Sequence, residues 1–384
     1  MGHIMCSMTA TAHDAPPSPI NEALGLAAQA LFISSPNPRV GCVITGPDNR
    51  RILGQGFTQQ AGGPHAEVMA LRDAAARGHD VRGATAYVTL EPCAHRGRTG
   101  PCCDALIEAG ITRVVASLAD PNPLVAGQGF ARLRAAGVQV EVGPGAEAAR
   151  ELNLGFFSRM VRGTPWVRMK VAASLDGVTA LSSGASQWIT SAAARADGHA
   201  WRARACAVLT GIGTVLHDDP RLDVREVKTP RQPRLAVVDS QLQTPASGRL
   251  FDVPGRELLI YTAAASDSPA AQPLRERGAT VVCLPGPAGQ VDLAAMLRDL
   301  AMRGVNELHV EAGHRLNGAL IRDGLVDELL LYLAPSLLGS GGRGMAHWGP
   351  LGTLAEQLAL EFREHEQVGP DLRIVARVAG RADF

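Results

Sequence analysis

Three consecutive segments decide the fold of the first half of this chain: GGPHAEVMAL (62–71), TAYVTLEPC (85–93) and AHRGRTGPCC (94–103). The first segment predicts a helix from about His65 to Arg77, and the second predicts a strand that ends just before Glu91. In the third, Pro101 predicts the start of a new helix with Cys102 in its first turn. Strands that alternate with helices in this way indicate an α/β fold with helices on the faces of a sheet.

The same stretch contains a candidate metal centre. His65, Cys93 and Cys102 offer one imidazole and two thiolates, which leave the fourth position of a tetrahedral Zn²⁺ open to water. Bound zinc lowers the pKa of that water to about 7, so hydroxide forms at neutral pH. Glu67, two residues after the histidine, would carry the proton from the water to a leaving amine. An H-x-E motif followed by Pro-Cys is typical of zinc-dependent base deaminases.

A structural zinc site is the main alternative, and it needs a fourth protein ligand. Cys103 and His95 are the candidates. Adjacent residues at the start of a helix point about 100° apart, which favours Cys102 over Cys103 as the ligand. A purely structural site would also have no use for the Glu67 carboxylate.

Two domains are expected in a chain of 384 residues. Alternating strands and helices are predicted up to a helix that runs from Ala146 to about Val161, and the segment Arg162–Pro165 is the predicted linker. The proposed domains are therefore 18–162 and 163–384. A second alternating pattern follows to Ala334, then an irregular glycine-rich loop at 339–344 and a terminal hairpin of residues 357–362 and 372–378.

The composition excludes several classes of function. Lys+Arg and Asp+Glu are balanced at 37 each, and only 4% of residues are aromatic, which argues against a nucleic-acid partner. No apolar run approaches the roughly 18 residues that span a bilayer, so no membrane association is expected. Seven cysteines, an odd number, do not suggest a disulfide framework. They suit a reducing cytosol, and we expect a cytoplasmic protein.

Longer motifs resemble the bifunctional deaminase–reductases of riboflavin biosynthesis. The likeness extends from about Ile20 to Val378. In the first half it rests on PNPRVGCVI (36–44), HAE (65–67), EPCAHRGRTGPC (91–102) and ADPNPLVAGQG (119–129). In the second half it rests on VRMKVAASLDGVTA (167–180), SGASQWITS (183–191), LTGIGTVLHDDPRLDVR (209–225) and VEAGHRLNGALI (310–321). The long spacing between Cys93 and Cys102 distinguishes the chain from cytidine and tRNA-adenosine deaminases.

The resemblance implies a cytidine-deaminase-like three-layer domain followed by a dihydrofolate-reductase-like domain. The first would hydrolyse the amine from 2,5-diamino-6-ribosylamino-4(3H)-pyrimidinone 5′-phosphate, with one Zn²⁺ per site. The second would reduce the ribosyl group to ribityl with NADPH. We also expect a homo-oligomer, either a dimer or a tetramer.

The resemblance implies substrate-binding and cofactor-binding roles for the residues of this sequence that match the family's motifs. Substrate contacts are expected from Asn37, His95, Arg98 and Thr99 in the first half, and from Ser186, Arg202, Leu222, Arg225 and Glu311 in the second. Cofactor contacts are expected from Lys170, Ala172, Asp176, Trp188, Thr214, Asp218, Ser240, Gly313, His314, Arg315, Leu316, Asn317, Gly318 and Ala319. His217, His314 and Arg315 depart from the family pattern, which leaves the choice between NADPH and NADH open. No reductase general acid is assigned.

Two other functions fit parts of the sequence. One is a zinc deaminase of other nucleobases, free or in nucleic acid, with a non-catalytic C-terminal domain. The other is a regulatory or structural protein that retains zinc without turnover. The intact Glu67 argues against the second alternative.

Overall fold

The computed structural model describes residues 18–49, 51–94, 100–123, 125–265 and 267–384. Its described part contains two main sheets, one in each half of the chain. None of the described helices is both long and apolar enough to cross a membrane.

The first sheet has five strands in the order β2-β1-β3-β4-β5. Their bounds are β1 Gly41–Thr45, β2 Ile52–Phe57, β3 Thr85–Val88, β4 Arg113–Ala116 and β5 Gln139–Val142. β1 runs antiparallel to both of its neighbours, whereas β3, β4 and β5 are parallel. The helices of this half are α1 Pro19–Gln29, α2 Ala66–Ala76, α3 Cys102–Glu108, α4 Gln128–Ala135, α5 Ala146–Leu152 and α6 Leu154–Arg162.

The side chains of β1 point alternately to the two faces of the sheet, and helices cover both faces, so this half has three layers. Val43 packs against Ile20 and Leu26 of α1 on one face of the sheet. Cys42 and Ile44 point to the other face, into the core that contains α2 and α3. Successive side chains of a strand point to opposite faces, so an all-apolar strand indicates cover on both sides.

The second sheet has nine strands in the order β11-β10-β9-β8-β12-β6-β13-β16-β15. Its strands are β6 Trp166–Ser174, β8 Ala207–Gly211, β9 Arg234–Val238, β10 Leu258–Thr262, β11 Thr280–Cys283, β12 Glu307–Val310, β13 Glu328–Ala334, β15 Leu360–Val368 and β16 Asp371–Val378. β7 Val178–Ala180 and β14 Arg343–Gly344 form a separate two-stranded ribbon. The helices are α7 Ala192–Arg204, α8 Ile212–Asp218, α9 Ala271–Glu276, α10 Leu293–Met302 and α11 His314–Arg322. The antiparallel β15–β16 pair confirms the predicted terminal hairpin.

The predicted helix from Ala146 to Val161 is wrong in one respect, because it is two helices broken at Asn153. The Asn153 carboxamide accepts from the main-chain N–H of Arg39 at 2.8 Å and donates to the Arg39 carbonyl at 2.9 Å. This long-range pairing holds Asn153 at a φ of −121°, outside the helical region. No proline or glycine stands at Asn153 itself, where the helix breaks.

The glycine-rich loop at 339–344 is also more regular than expected. Its last two residues form β14, which pairs with β7. A Cβ atom at Gly342 would lie 2.4 Å from the Val178 side chain, so the absence of a side chain there permits the close approach. The sequence analysis did not predict β7 or α8 either.

Candidate active sites

All segments that carry the predicted metal ligands meet at one edge of the first sheet. β3 ends there and leads to Cys93, and β2 ends there and leads towards His65. The main-chain N–H of Thr89 donates to the Gly41 carbonyl at 3.1 Å, so the residues before β1 lie beside those after β3. Asn37 is among these residues. Chain direction and strand pairing therefore assemble the site.

The three predicted ligands converge. Nδ1 of His65 lies 3.6 Å from Sγ of Cys93 and 3.4 Å from Sγ of Cys102, and the three ligand atoms lie within 4.8 Å of one another. Zinc bonds of about 2.1 Å to nitrogen and about 2.3 Å to sulfur place the ligand atoms of a tetrahedral site roughly 3.6 Å apart. The residues present therefore fit a zinc ion with three protein ligands.

Each ligand sits at the end of an element. His65 is the N-cap residue of α2, and Cys102 is the first residue of α3. The main-chain N–H of Cys102 donates to Sγ of Cys93 at 3.4 Å. An amide at a helix N-terminus favours a neighbouring thiolate, the form that a metal requires.

A hydrogen bond from the Cys102 thiol lowers the pKa of Cys93, and the Cys93 sulfur in turn raises the pKa at which Cys102 releases its proton. Binding of a dication favours both thiolates and releases that proton.

Glu67 lies in the first turn of α2 and is only 3% exposed. Burial, with a smaller contribution from the Cys93 sulfur, raises the pKa of Glu67 to about 7. A carboxyl group with a pKa near neutrality can both accept and return a proton at physiological pH. This is the property that deamination requires.

Cys103 points away from the ligand cluster. Its Sγ donates to the Pro92 carbonyl at 3.1 Å and lies 3.5 Å from the Gly129 carbonyl. The geometry therefore selects Cys102, and Cys103 does not supply the fourth ligand of a structural site. His95, the other candidate for that position, lies outside the described residues.

Glu91, two residues before Cys93, holds a distant segment of the chain in place through hydrogen bonds. Its buried carboxylate accepts main-chain N–H groups in the 120–130 segment, from Gly129 at 2.8 Å, Gly127 at 3.0 Å, Asp120 at 3.1 Å and Phe130 at 3.2 Å. The sequence analysis treated EPC as part of a motif and did not recognise this role.

We expect Glu91→Gln to destabilise the protein by about 2 kcal/mol, since the amide cannot accept all of these N–H groups and presents a donor to some of them. Denaturant titration with zinc analysis would measure the loss. Glu108→Gln, at an exposed position of α3, is the control. An unchanged unfolding midpoint would show that the 120–130 segment does not depend on this carboxylate.

The second half contains a cavity of about 1810 Å³ at the carboxyl ends of parallel strands β6, β8, β9 and β12. This is the edge at which open α/β sheets bind ligands. Most of the predicted reductase residues line it, namely Lys170, Ala172, Ser186, Trp188, Arg202, Thr214, Asp218, Leu222, Arg225, Ser240, Glu311, Gly313, His314, Arg315, Leu316, Asn317 and Ala319.

Glu311 is the centre of charge in this cavity. Arg202 donates to both of its carboxylate oxygens, and Nζ of Lys170 lies 4.0 Å away. Burial opposes the charge, but Arg202 and its neighbours hold the pKa of Glu311 well below its usual range. Burial lowers the pKa of Lys170, which Glu311 partly offsets. The cavity thus has an ionised carboxylate paired with Arg202, with Lys170 nearby.

Two predicted cofactor residues do not line the cavity. The Asp176 carboxylate accepts the main-chain N–H groups of Leu338 at 3.1 Å and Gly339 at 2.8 Å, so it anchors the glycine-rich loop. Gly318 faces the main chain of His347, where a Cβ would lie 1.8 Å from the carbonyl oxygen. Their direct cofactor contacts remain predictions.

Comparison with known proteins identifies both halves. Residues 19–118 match the family described as "Cytidine and deoxycytidylate deaminase zinc-binding region", and residues 165–374 match "RibD C-terminal domain". The chain is 46% identical over 364 residues to the riboflavin biosynthesis protein RibD of Escherichia coli, covering 91% of this chain and 96% of that protein.

The chain belongs to the RibD family.

Solved structures agree with this membership. RibD of Acinetobacter baumannii superposes with a TM-score of 0.85 at 39% identity, covering 94% of this chain and 98% of that one. A protein from Thermotoga maritima, titled a diaminohydroxyphosphoribosylaminopyrimidine deaminase/5-amino-6-(5-phosphoribosylamino)uracil reductase, gives 0.80 at 30% identity with the same coverage. The predicted fold class, a cytidine-deaminase-like domain followed by a reductase domain, is confirmed.

Membership of the RibD family also excludes the two alternative functions. The second half is a RibD reductase domain, and the chain is a bifunctional deaminase and reductase of riboflavin biosynthesis. The family combines a zinc-binding deaminase domain with an NADPH-dependent reductase domain, so the predicted enzyme class and cofactors are confirmed.

Two residues of α7 are among the titratable residues of the RibD reductase cavity that the sequence analysis missed. Arg195 and His199 line it together with Arg202. Their spacing of four and three residues places all three on one face of α7, and this helical period was a usable signal. Burial, followed by Arg202 and Arg225, lowers the pKa of His199 to about 4, so this imidazole is neutral at pH 7.

The predicted deaminase substrate residues are only partly described. His95, Arg98 and Thr99 lie outside the described residues. Asn37 is half-buried in the turn before β1, and its main-chain N–H donates to the Ser34 carbonyl at 2.8 Å.

Proposed function

We propose that the first domain deaminates 2,5-diamino-6-ribosylamino-4(3H)-pyrimidinone 5′-phosphate and that His65, Cys93 and Cys102 hold its zinc ion. The convergence of these three ligand atoms beside a buried carboxyl group is the single observation that carries the proposal. Bound zinc supplies a Lewis acid that brings the pKa of a water molecule to about 7.

Glu67 moves the protons of this reaction. Its carboxylate accepts a proton from the attacking water and returns it to the amine nitrogen that leaves as ammonia. A pKa near neutrality matches both steps. Asn37, at the same sheet edge, hydrogen-bonds the pyrimidine ring. His95, Arg98 and Thr99 are the further proposed substrate contacts.

The second domain reduces the ribosyl group of the deaminated product to ribityl. Bound NADPH supplies the hydride. The protein orients its donor and acceptor, which is the main requirement of hydride transfer. Arg202 and Arg225 are suited to the 5′-phosphate, with Ser186, Leu222 and Glu311 as further substrate contacts. Gly313 precedes α11, and main-chain amides at such a helix start favour the phosphates of the cofactor.

Incubation with the diaminopyrimidinone phosphate, with and without NADPH, tests both steps. We expect ammonia release without NADPH, and loss of the nicotinamide absorbance only when NADPH and the deaminated product are both present. Absence of ammonia release by the zinc-loaded protein would overturn the proposed first activity.

Arg202→Ala should raise the KM of the reductase for its phosphorylated substrate by about tenfold to a hundredfold, which corresponds to about 1.5–3 kcal/mol for hydrogen bonds to a charged group. The KM for the dephosphorylated analogue should change much less. Arg298→Ala, at an exposed position of α10, is the control.

Equal effects of Arg202→Ala on the two substrates would remove Arg202 from the phosphate site. They would instead assign its effect to Glu311, which loses its bidentate partner in this variant.

We further propose a cytoplasmic homo-oligomer with its domain boundary between Arg162 and Gly163. The edge strand β15 supports self-association, since its Phe362 is 77% exposed. Sedimentation velocity would distinguish a dimer or tetramer from a monomer.

A further inference from the structure

The turn that carries Asn37 is one of the parts of the deaminase domain that contact the reductase domain. This turn, residues 34–39, connects α1 to β1 and lies at the sheet edge that holds Cys93. Its role in substrate binding belongs to the proposed function, and the inference below rests on that proposal.

Residues of the reductase domain contact the turn directly. The Asn306 side-chain amide donates to the Pro36 carbonyl at 2.9 Å. The Ser35 hydroxyl donates to Sγ of Cys206 at 2.9 Å. Nη1 of Arg39 donates to Oε1 of Glu307. These contacts bind the turn on both sides of Asn37.

The Arg39–Glu307 pair is buried, which makes it costly to break, whereas the hydrogen bonds of Pro36 and Ser35 are partly buried. Arg39 is 7% exposed, Asn306 7% and Glu307 1%. Burial opposes the charge of Glu307, but Arg204, Arg39 and Arg168 hold its pKa well below the usual range. A buried charge that loses its partner is strongly destabilising, so the ion pair fixes Arg39 in one place.

Residues of the deaminase domain also hold Arg39. Nη1 also donates to the Leu152 carbonyl at 2.6 Å, and the main chain of Arg39 pairs with the Asn153 carboxamide. Asn37 is thus two residues from a side chain that is held by both domains.

The contacts lie at the opposite end of β12 from the reductase cavity. Asn306 and Glu307 stand at the amino end of β12, whereas Glu311 follows its carboxyl end. Neither Asn306 nor Glu307 lines the cavity of the reductase. Changes at Asn306 can therefore affect the deaminase separately from the reductase.

We propose that Asn306 and Glu307 of the reductase domain are positioning residues for the deaminase. They hold the turn at residues 34–39 so that Asn37 meets the pyrimidine, and the deaminase substrate site is complete only when the reductase domain is docked. This gives a physical reason for the two activities to share one chain.

Asn306→Asp is the sharpest test. Its carboxylate still accepts from Nε of Arg159, which lies 2.5 Å from Oδ1 of Asn306, but it cannot donate to the Pro36 carbonyl. We expect the deaminase KM for the diaminopyrimidinone phosphate to rise about tenfold, with kcat within about threefold of the wild type. Zinc content and the reductase constants for the deaminated substrate should not change.

Two further variants of the full-length protein complete the experiment. Asn49→Asp makes the same chemical change in an exposed turn between β1 and β2 and should have no effect. Ser35→Ala removes only the contact with Cys206 and should raise the same KM by a smaller factor. It also keeps the proposal testable if Asn306→Asp does not fold.

The outcomes separate the inference from the proposed function. A wild-type protein that releases no ammonia overturns the proposed deamination, and the inference with it. An active wild type together with an unchanged KM in folded Asn306→Asp, or in Ser35→Ala if the former is not folded, overturns only the inference. A parallel loss of both activities also overturns it, because general damage would then explain the effect.

Discussion

Glu67→Gln is expected to reduce ammonia release by roughly 10⁴-fold, the upper range for loss of a general acid–base group. Glutamine has nearly the same shape, but it cannot accept a proton from water or return one to the leaving amine. His65, Cys93 and Cys102 are unchanged, so the variant should still bind one zinc ion per chain. Ammonia release and metal content would be measured on the same preparation.

The two-domain organisation supplies the control for this variant. Oxidation of NADPH with the pre-deaminated substrate should continue at the wild-type rate, because Glu67 is absent from the reductase cavity. Glu108→Gln should leave both activities intact. Deamination that survives Glu67→Gln would show that another group carries the proton.

Arg168→Met should lower the free energy of unfolding by about 3–5 kcal/mol, the range for breaking a buried ion pair. Arg168 is 2% exposed, and its guanidinium donates to Glu307 at 2.9 Å and to Glu328 at 2.5 Å. The methionine would leave these buried carboxylates with fewer partners. At 2–4 °C per kcal/mol in a large domain, the melting temperature should fall by roughly 10 °C.

A second substitution tests the cause of this loss. Arg168→Met with Glu328→Gln should recover part of the stability, because the carboxylate that lost its partner is then neutral. No recovery would mean that lost packing over Trp201, whose ring centre lies 4.6 Å from the Arg168 guanidinium, dominates. Arg298→Met, at an exposed site, should change stability by less than about 0.5 kcal/mol.

The stability that Arg168→Met loses should depend on pH, because Arg168 affects the pKa of Glu328. Burial opposes its charge, but Arg168 and then Arg204 and Arg377 hold the pKa of Glu328 below its usual value. A depressed carboxyl pKa stabilises the fold above the unfolded pKa of about 4.3, and this contribution is lost as the pH falls. The difference between wild type and Arg168→Met should therefore be fully present near pH 7 and shrink as the pH falls below about 4.3.

The metal centre was predictable because its ligands are fixed by local signals. His65 and Cys102 are at helix starts marked by their flanking prolines, and Cys93 follows a short strand. Chain direction brings such ends to one edge of a sheet once the strands are paired. Most of the predicted reductase residues line the cavity for the same reason, because their motifs stand at the carboxyl ends of strands.

Other features depend on partners distant in sequence. Asn153 breaks a helix because it pairs with Arg39, and Asp176 anchors a loop more than 160 residues later. His199 shares one face of α7 with the predicted Arg202, but only the packing of α7 against β12 shows that this face lines the cavity. No local propensity carries this information, since a polar side chain can satisfy its hydrogen bonds with many alternative partners.

The sequence by itself predicted the family, the two α/β halves, and the candidate zinc ligands and carboxylate, whose convergence the structure shows. Local patterns suffice for these, because element ends and short motifs fix where such side chains appear along each strand or helix. Only the tertiary structure decided how Glu307 is shared among Arg39, Arg168 and Arg204, and thereby that the turn bearing Asn37 rests on the other domain. The physical reason is burial: a charge removed from water must find its partners nearby in space, wherever they lie in the chain.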